Sequence, residues 1–461
     1  MENYELEIKE YIKAHRDEIV NDLCELVRIP SIAGTEDAKR VLDLVAQKFK
    51  RVGAKAEQYD TYALAKFGGG THKIGLFCHA DVVPEGKNWT MCEPFEGKVV
   101  GDEIFGRGSN DDKSAIVISL WVQKIIRDLG INLHSEIVTF VGANEETTMG
   151  DIFDYKKAHT PPDISLVLDS GFPVHLGDKG ILWLRSEKDL HFEDLISISG
   201  GEAVNIILKE ATAKIRFSQE LFSELSANEK LSVTSDDNCI TVKAQGISAH
   251  GANPWGTVNG ASIIIDALLK SEHFSEKDKD ELALLYSLLT TYDGSPLGIT
   301  ARDDVFGETT VTNGIVDISQ DKLSFTLDIR HGTTFPQSEM KKIISALFEK
   351  HGATATFLKG GEPKAISADN KYVKECMAAY REHTGKHEAQ PRISLGGTYS
   401  RYLDNAFEVG MTTKHSNEGL PSGHGSAHQS DEHISISGLL DALEIVLKMV
   451  LRMDVFGKIY C

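Results

Sequence analysis

Apolar residues at helical spacing open the chain. Ile8, Tyr11, Ile12, Ile19, Leu23 and Leu26, followed by Val41, Leu44, Val45 and Phe49, predict two amphipathic helices over residues 5–49. After Gly68-Gly69-Gly70 the pattern changes: residues 73–78 form a short, mostly apolar run between turn residues, which predicts a buried strand ending at His79. Residues 113–129 are apolar on nearly every face, from Ala115 through Trp121 to Ile126, as expected of a helix packed deep against a sheet. Residues 136–141 and 164–168 read as two more buried strands. Strands alternating with helices predict an α/β fold whose central sheet is mostly parallel and flanked by helices.

From about residue 181 the texture differs. Polar strands, a helix near 258–269 and an alternating stretch over 309–329, broken by Ser319-Gln320-Asp321, predict an α+β domain with one sheet face exposed. Helical patterns return near Asp369 and end in residues 438–450, so the last segment can complete the first sheet. The expected organisation is a first domain in two parts, 1–180 and 371–461, with a second domain inserted at 181–370. No repeat of fixed period interrupts this order.

The chain has 461 residues, more than one hydrophobic core usually organises. Its 41% hydrophobic and 26% charged residues exclude a collagenous, disordered or coiled-coil chain. The balance of 49 Lys and Arg against 69 Asp and Glu, a net −20, repels phosphate backbones and anionic lipid, which argues against nucleic acid and membrane partners. There is no basic segment followed by an apolar run at the start, and no uninterrupted apolar stretch of about 18 residues, so the expected location is cytoplasmic. Six cysteines (Cys24, Cys78, Cys92, Cys239, Cys376, Cys461), with no CxxC pair, predict reduced thiols and neither a disulfide framework nor a thiolate zinc site.

Chemistry concentrates at the strand ends. His79, the pair Glu145 and Glu146, and Asp169 each follow a predicted strand closely, and Asp111 and Asp112 precede the apolar helix. In open α/β sheets, ligands gather outside the carboxyl ends of strands, so these groups should meet on one rim. Histidine with carboxylates and no thiolate suits zinc, manganese or cobalt, and several carboxylates can hold two ions with one shared between them. Asp81, two residues after His79, is placed to take the second ring N–H. Adjacent Glu145 and Glu146 diverge, which lets one bind metal while the other accepts a proton. Taken singly, an HxD triplet arises by chance, two glutamates form a solvated face, and a strand-end Asp caps a helix or shapes a turn. The residue types alone leave both readings open.

The stretches Phe77-Cys-His-Ala-Asp-Val-Val-Pro84, Gly106-Arg-Gly-Ser-Asn-Asp-Asp-Lys113, Gly142-Ala-Asn-Glu-Glu-Thr147 and His428-Gln-Ser-Asp-Glu432, in that order, resemble the co-catalytic zinc metallopeptidases that include carnosinases, aminoacylases and desuccinylases. Among these the PepV-type bacterial dipeptidases are most alike. The resemblance extends to Trp89-Thr90 and to Gly396-Gly-Thr-Tyr-Ser-Arg401, and so covers nearly the whole chain. It implies that His79 and Asp169 hold one divalent ion, that Asp111 bridges to a second, and that Glu146 and His428 complete the second site. Asp81 would orient His79, Glu145 would be the general base, and the Asp111–Asp112 bond would be cis. Of the tail histidines His415, His424, His428 and His433, the family pattern selects His428, four residues before the glutamate.

The inserted domain is similar to the family's lid. There Asn205, His250 and Arg330 match positions that face substrate, with the histidine at the oxyanion and the arginine on the free carboxylate. Gly397 and Thr398, in the late turn, join them as substrate-binding positions. Two departures bear on specificity: Ile206-Ile207-Leu208 stands where PepV relatives favour a proline–acid step, and His331-Gly332 follows Arg330 in place of a tyrosine–proline pair. His250 can alternatively shape a turn, and Arg330 can pair with a neighbouring acid. The implied function is hydrolysis of dipeptides and other short peptides with a free amino terminus, using two divalent ions, zinc first and manganese or cobalt as substitutes. Asp at position 169 favours this over the alternative, an N-acyl amino acid deacylase or desuccinylase. The lid is about twice the length found in dimeric relatives, which implies a self-sufficient monomer.

Overall fold

The amino-terminal apolar stripe forms three helices, Glu5–Ala14, Arg16–Val27 and Glu36–Arg51, where its periodicity predicts two. The additional break falls at His15, whose ring stacks on Tyr11 at 4.0 Å and reaches back to the Tyr11 carbonyl at 2.8 Å, outside helical geometry. The third helix begins where Thr35, in extended backbone, accepts the Ala38 N–H on its side chain. The computed structural model describes residues 4–201 and 203–459. It divides into two units, Met1–Asp178 with Ala365–Cys461, and Lys179–Lys364.

In the first unit the strands lie in the order Lys55–Gln58, Tyr62–Gly68, Glu136–Gly142, Lys73–His79, Ile164–Ser170, Ala406–Gly410, His175–Asp178. The four from Glu136–Gly142 to Ala406–Gly410 are parallel, and antiparallel pairs flank them. The expected α/β class with a mostly parallel central sheet is therefore the one observed, and the late strand Ala406–Gly410 completes the sheet. The helices Lys113–Asp128 and Ile436–Asp454 pack on the Lys73–His79 strand and on each other. Ile74, Leu76, Ile116, Trp121, Ile137, Leu166 and Leu443 share one buried core, which is why the central strands read as near-continuous apolar runs. Register decides where the chemistry goes. His79 lies beside Gly142, and Phe77 beside Val167, so the strand ends bearing His79, Glu145–Glu146 and Asp169 reach one rim.

The second unit has its own core and an antiparallel sheet. Its order is Leu231–Ser235, Cys239–Gln245, Glu210–Arg216, Leu195–Gly200, Val316–Ser319, Lys322–His331, Gly180–Asp189, Thr354–Gly361, with Thr310–Thr312 also paired to Lys322–His331. Burial alternates along Glu210–Arg216 and Cys239–Gln245. One face packs on helices such as Gly260–Lys270 and Glu276–Thr290 while the other meets solvent, the α+β texture the sequence predicts. Among the described residues no helix is long and apolar enough to cross a membrane. The five described cysteines are free thiols; Cys461 lies outside the described residues.

Candidate metal centre

His79 ends its strand fully buried, with its backbone N–H donated to Asp112 Oδ2 at 3.1 Å. Its Nδ1 lies 2.9 Å from the Asp81 carbonyl, which fixes the hydrogen on Nδ1 in the neutral ring and leaves the Nε2 lone pair for a ligand role. Nε2 faces Asp111 Oδ1 at 3.0 Å and Asp169 Oδ2 at 3.9 Å. The other oxygen of Asp111, Oδ2, lies 3.0 Å from His428 Nε2, and His428 Nε2 is also 3.1 Å from Glu146. Two sets of donor atoms thus share one residue. His79, Asp111 and Asp169 form the first and Asp111, Glu146 and His428 the second, each with its atoms within 4.8 Å of one another. The Asp111–Asp112 peptide is cis.

The carboxylate of Asp81 works differently from the expectation. Its Oδ1 is 3.5 Å from His79 Nδ1, and its two oxygens accept the backbone N–H groups of Glu145 at 3.2 Å and Glu146 at 3.1 Å. The carbonyl of Asp81 orients His79, and its side chain pins the turn that carries both glutamates. Asp151 supports the same turn by accepting the Asn144 N–H at 2.8 Å and the Tyr399 hydroxyl at 2.6 Å.

Burial and mutual repulsion dominate the electrostatics. Burial, then the charge of Asp169, pushes the Glu145 carboxyl well above the carboxylate range. Burial and Asp111 likewise raise Asp169 and Glu146, with His428 opposing the rise in Glu146. Burial pulls the His428 imidazole down, but its hydrogen bonds to Asp111 and Glu146 carry it up to about 11. Asp111 is opposed by burial yet held well below the ordinary carboxylate range by His428 and His79. This many clustered carboxylates call for positive charge among them, which divalent cations can supply.

The donors fit such ions. They are imidazole nitrogens and carboxylate oxygens with no thiolate, the chemistry that zinc, manganese and cobalt share. Glu145 belongs to neither donor set. It is buried beside them, and its Oε1 has no hydrogen-bond partner among the described residues, an expensive arrangement unless a ligand or reaction uses it.

The other tail histidines are engaged elsewhere. His433 points Nδ1 at the Asp431 carbonyl (3.2 Å) and Nε2 at the Ser416 carbonyl (3.1 Å), and His415 stacks on it at 5.1 Å. His424 meets Asp431 at 2.6 Å. Thr398 is buried, caps a short 3-10 turn, and donates its hydroxyl to Glu408 at 3.0 Å; Gly397 precedes it in the loop. In the second unit, Asn205 Nδ2 lies 3.5 Å from His250 Nε2, and His250 Nδ1 accepts the Ala252 N–H at 3.2 Å. Arg330 is buried and pairs with Asp328 through Nε at 2.8 Å and Nη2 at 2.9 Å. Asp328, two residues before it, is thus the neighbouring acid that Arg330 pairs with.

Sequence reading missed the structural work of Asp112, Asp151, Arg107 and Glu432. Arg107, Asp112 and Glu432 lie inside the recognisable motifs, but their partners are fixed only by the fold.

The sequence profile of peptidase family M20/M25/M40 matches residues 75–452. A Staphylococcus aureus (strain MRSA252) protein named "Putative dipeptidase" is 25% identical over 96% of this chain and 98% of its own length. Among solved structures, human carnosine dipeptidase 1 matches with a TM-score of 0.61 at 14% identity, over 98% of this chain and 99% of that one. The Saccharomyces cerevisiae di-peptidase Dug1p gives 0.60 at 14% over 99% of each. The Vibrio alginolyticus aminoacylhistidine dipeptidase gives 0.54 at 17%, over 93% of this chain and 95% of that one. At these identities the structures show a shared fold.

Proposed function

This chain belongs to peptidase family M20/M25/M40, and from that premise we propose that it is a dinuclear, metal-dependent dipeptidase acting on short peptides with a free amino terminus. The family makes it a peptidase, hence a hydrolase. The observation that carries the finer reading is Asp111, one carboxylate shared by two three-residue donor sets, with the uncommitted Glu145 buried beside them. In this reading His79, Asp111, Asp169, Glu146 and His428 hold two divalent ions, zinc first and manganese or cobalt as substitutes. Ions held there supply Lewis acidity and make water nucleophilic at neutral pH. Glu145 takes the proton of the attacking water and returns it to the leaving amine, a task for a carboxylate that belongs to neither donor set and whose proton affinity burial raises. Asp81 keeps His79 and the Glu145–Glu146 turn in place.

The names of the S. aureus, human, yeast and Vibrio proteins support dipeptides as the substrate class. Asn205, His250, Arg330, Gly397 and Thr398 are proposed as substrate-binding positions on the family resemblance, within a cytoplasmic monomer. The test compares a dipeptide with its N-acetylated form after reconstitution with zinc, manganese or cobalt. Loss of one hydrogen bond to a charged amine is worth about 1.5–3 kcal/mol, so kcat/KM should fall roughly ten- to a hundredfold on acetylation. Equal or faster turnover of the acetylated form would replace this reading with a deacylase of the same fold.

A further inference from the structure

Arg107 and Glu432 form an ion pair beside the metal ligands, and each partner holds a different ligand loop. Their side chains are 2% and 0% exposed, with Arg107 Nη1 at 2.5 Å from Glu432 Oε2. The other oxygen, Oε1, accepts three backbone N–H groups, from Gly108 at 3.1 Å, Asn110 at 3.1 Å and Asp111 at 3.0 Å. On its far side the guanidinium donates to the carbonyls of Gln429 at 3.1 Å, His428 at 3.3 Å and Glu85 at 3.2 Å. Trp89 covers it at 5.5 Å. Burial pushes the Glu432 carboxyl up, but four donors aimed at it, one of them a guanidinium, favour the ionised form.

Stability alone does not explain such a pair, because desolvation commonly offsets the attraction and apolar residues would serve as well. Geometry does. A planar fork of donors fixes direction as well as distance, which a lysine cannot do. One of the carbonyls it holds belongs to His428, whose φ of +64° is unusual for a residue with a side chain and persists only where the surroundings enforce it.

We propose that Arg107 and Glu432 are positioning residues for the second donor set: a single rigid ion pair ties the loop of Asp111 to the loop of His428, so that both ligands stand ready before metal arrives. This rests on the dinuclear reading above. The pair is neutral as a whole and adds no charge to the site, so its contribution is alignment.

The test is calorimetric titration of chelator-stripped protein with zinc, for the unaltered chain, Arg107→Lys and Glu432→Gln. Losing an outer partner of a metal ligand typically costs about 10–100-fold in affinity, so the binding event that uses His428 should weaken by that factor in each variant, and the other, which shares only Asp111 with it, by less. Excess zinc should then restore kcat, with KM for a dipeptide unchanged. Variants that melt earlier but titrate like the unaltered chain would overturn the proposal, since that is what a purely structural pair gives. Fewer than two ions on the unaltered chain would defeat the dinuclear reading itself, a separate outcome. If neither variant folds, amide exchange on the metal-free unaltered chain decides: Asn110 and Asp111 should exchange slowly, and exchange at the rate of a free loop would refute the clamp.

Discussion

Glu145→Gln is expected to lower dipeptide turnover by about 10²–10⁴-fold, the usual worth of a positioned acid–base group, while both metal ions stay bound. The substitution preserves shape and removes only the ability to take a proton. Glu145 stands outside both donor sets, and its Oε1 makes no hydrogen bond among the described residues that an amide would forfeit. The hydrogen bond that places it uses its backbone N–H on Asp81, which the change leaves alone. Burial already disfavours the ionised carboxyl, so a neutral amide costs the metal-free fold little. Steady-state kinetics with metal analysis of the same sample reads both quantities. Undiminished turnover would remove the general base, and loss of metal would make Glu145 a ligand.

Asp111→Asn should be more damaging to metal binding than any other single replacement. Its two oxygens face different imidazoles, each at 3.0 Å, so a neutral amide with one acceptor weakens both sets at once. Affinity for both ions should fall by more than the roughly 10–100-fold that loss of an outer partner costs, and activity should fall with it. Replacing Asp169 or His428 should weaken one binding event more than the other. Calorimetric titration of these variants distinguishes the cases: an Asp111→Asn protein that loses a single ion would show that the residue is not shared.

The sequence made the central strands legible because residues 73–79, 136–142 and 164–170 are buried on both faces and read as apolar runs bounded by turns. The edge strand Lys55–Gln58 and its neighbour Tyr62–Gly68 escaped, the first because three of its four side chains face solvent and leave no period to read. Helix Glu276–Thr290 was hidden by the charges of its first turns, although Leu282, Leu285 and Leu289 bury its other face. At the site, strand-end placement indicated which residues gather, and motif resemblance indicated which roles to expect. Neither could reveal that Asp81 uses its carbonyl on His79 and its carboxylate on the glutamate turn. The Asp328 partner of Arg330 was visible in the sequence as a neighbour two residues away, but strand alternation alone does not say whether an arginine turns to it or to a substrate.

Metal content decides the matter most directly. The chain stripped with a chelator, reconstituted with zinc, freed of excess ion and measured by elemental analysis should carry two equivalents per polypeptide, and removing them should abolish peptide hydrolysis. A single tightly held equivalent, or full activity in the stripped protein, would contradict a centre built around a shared Asp111.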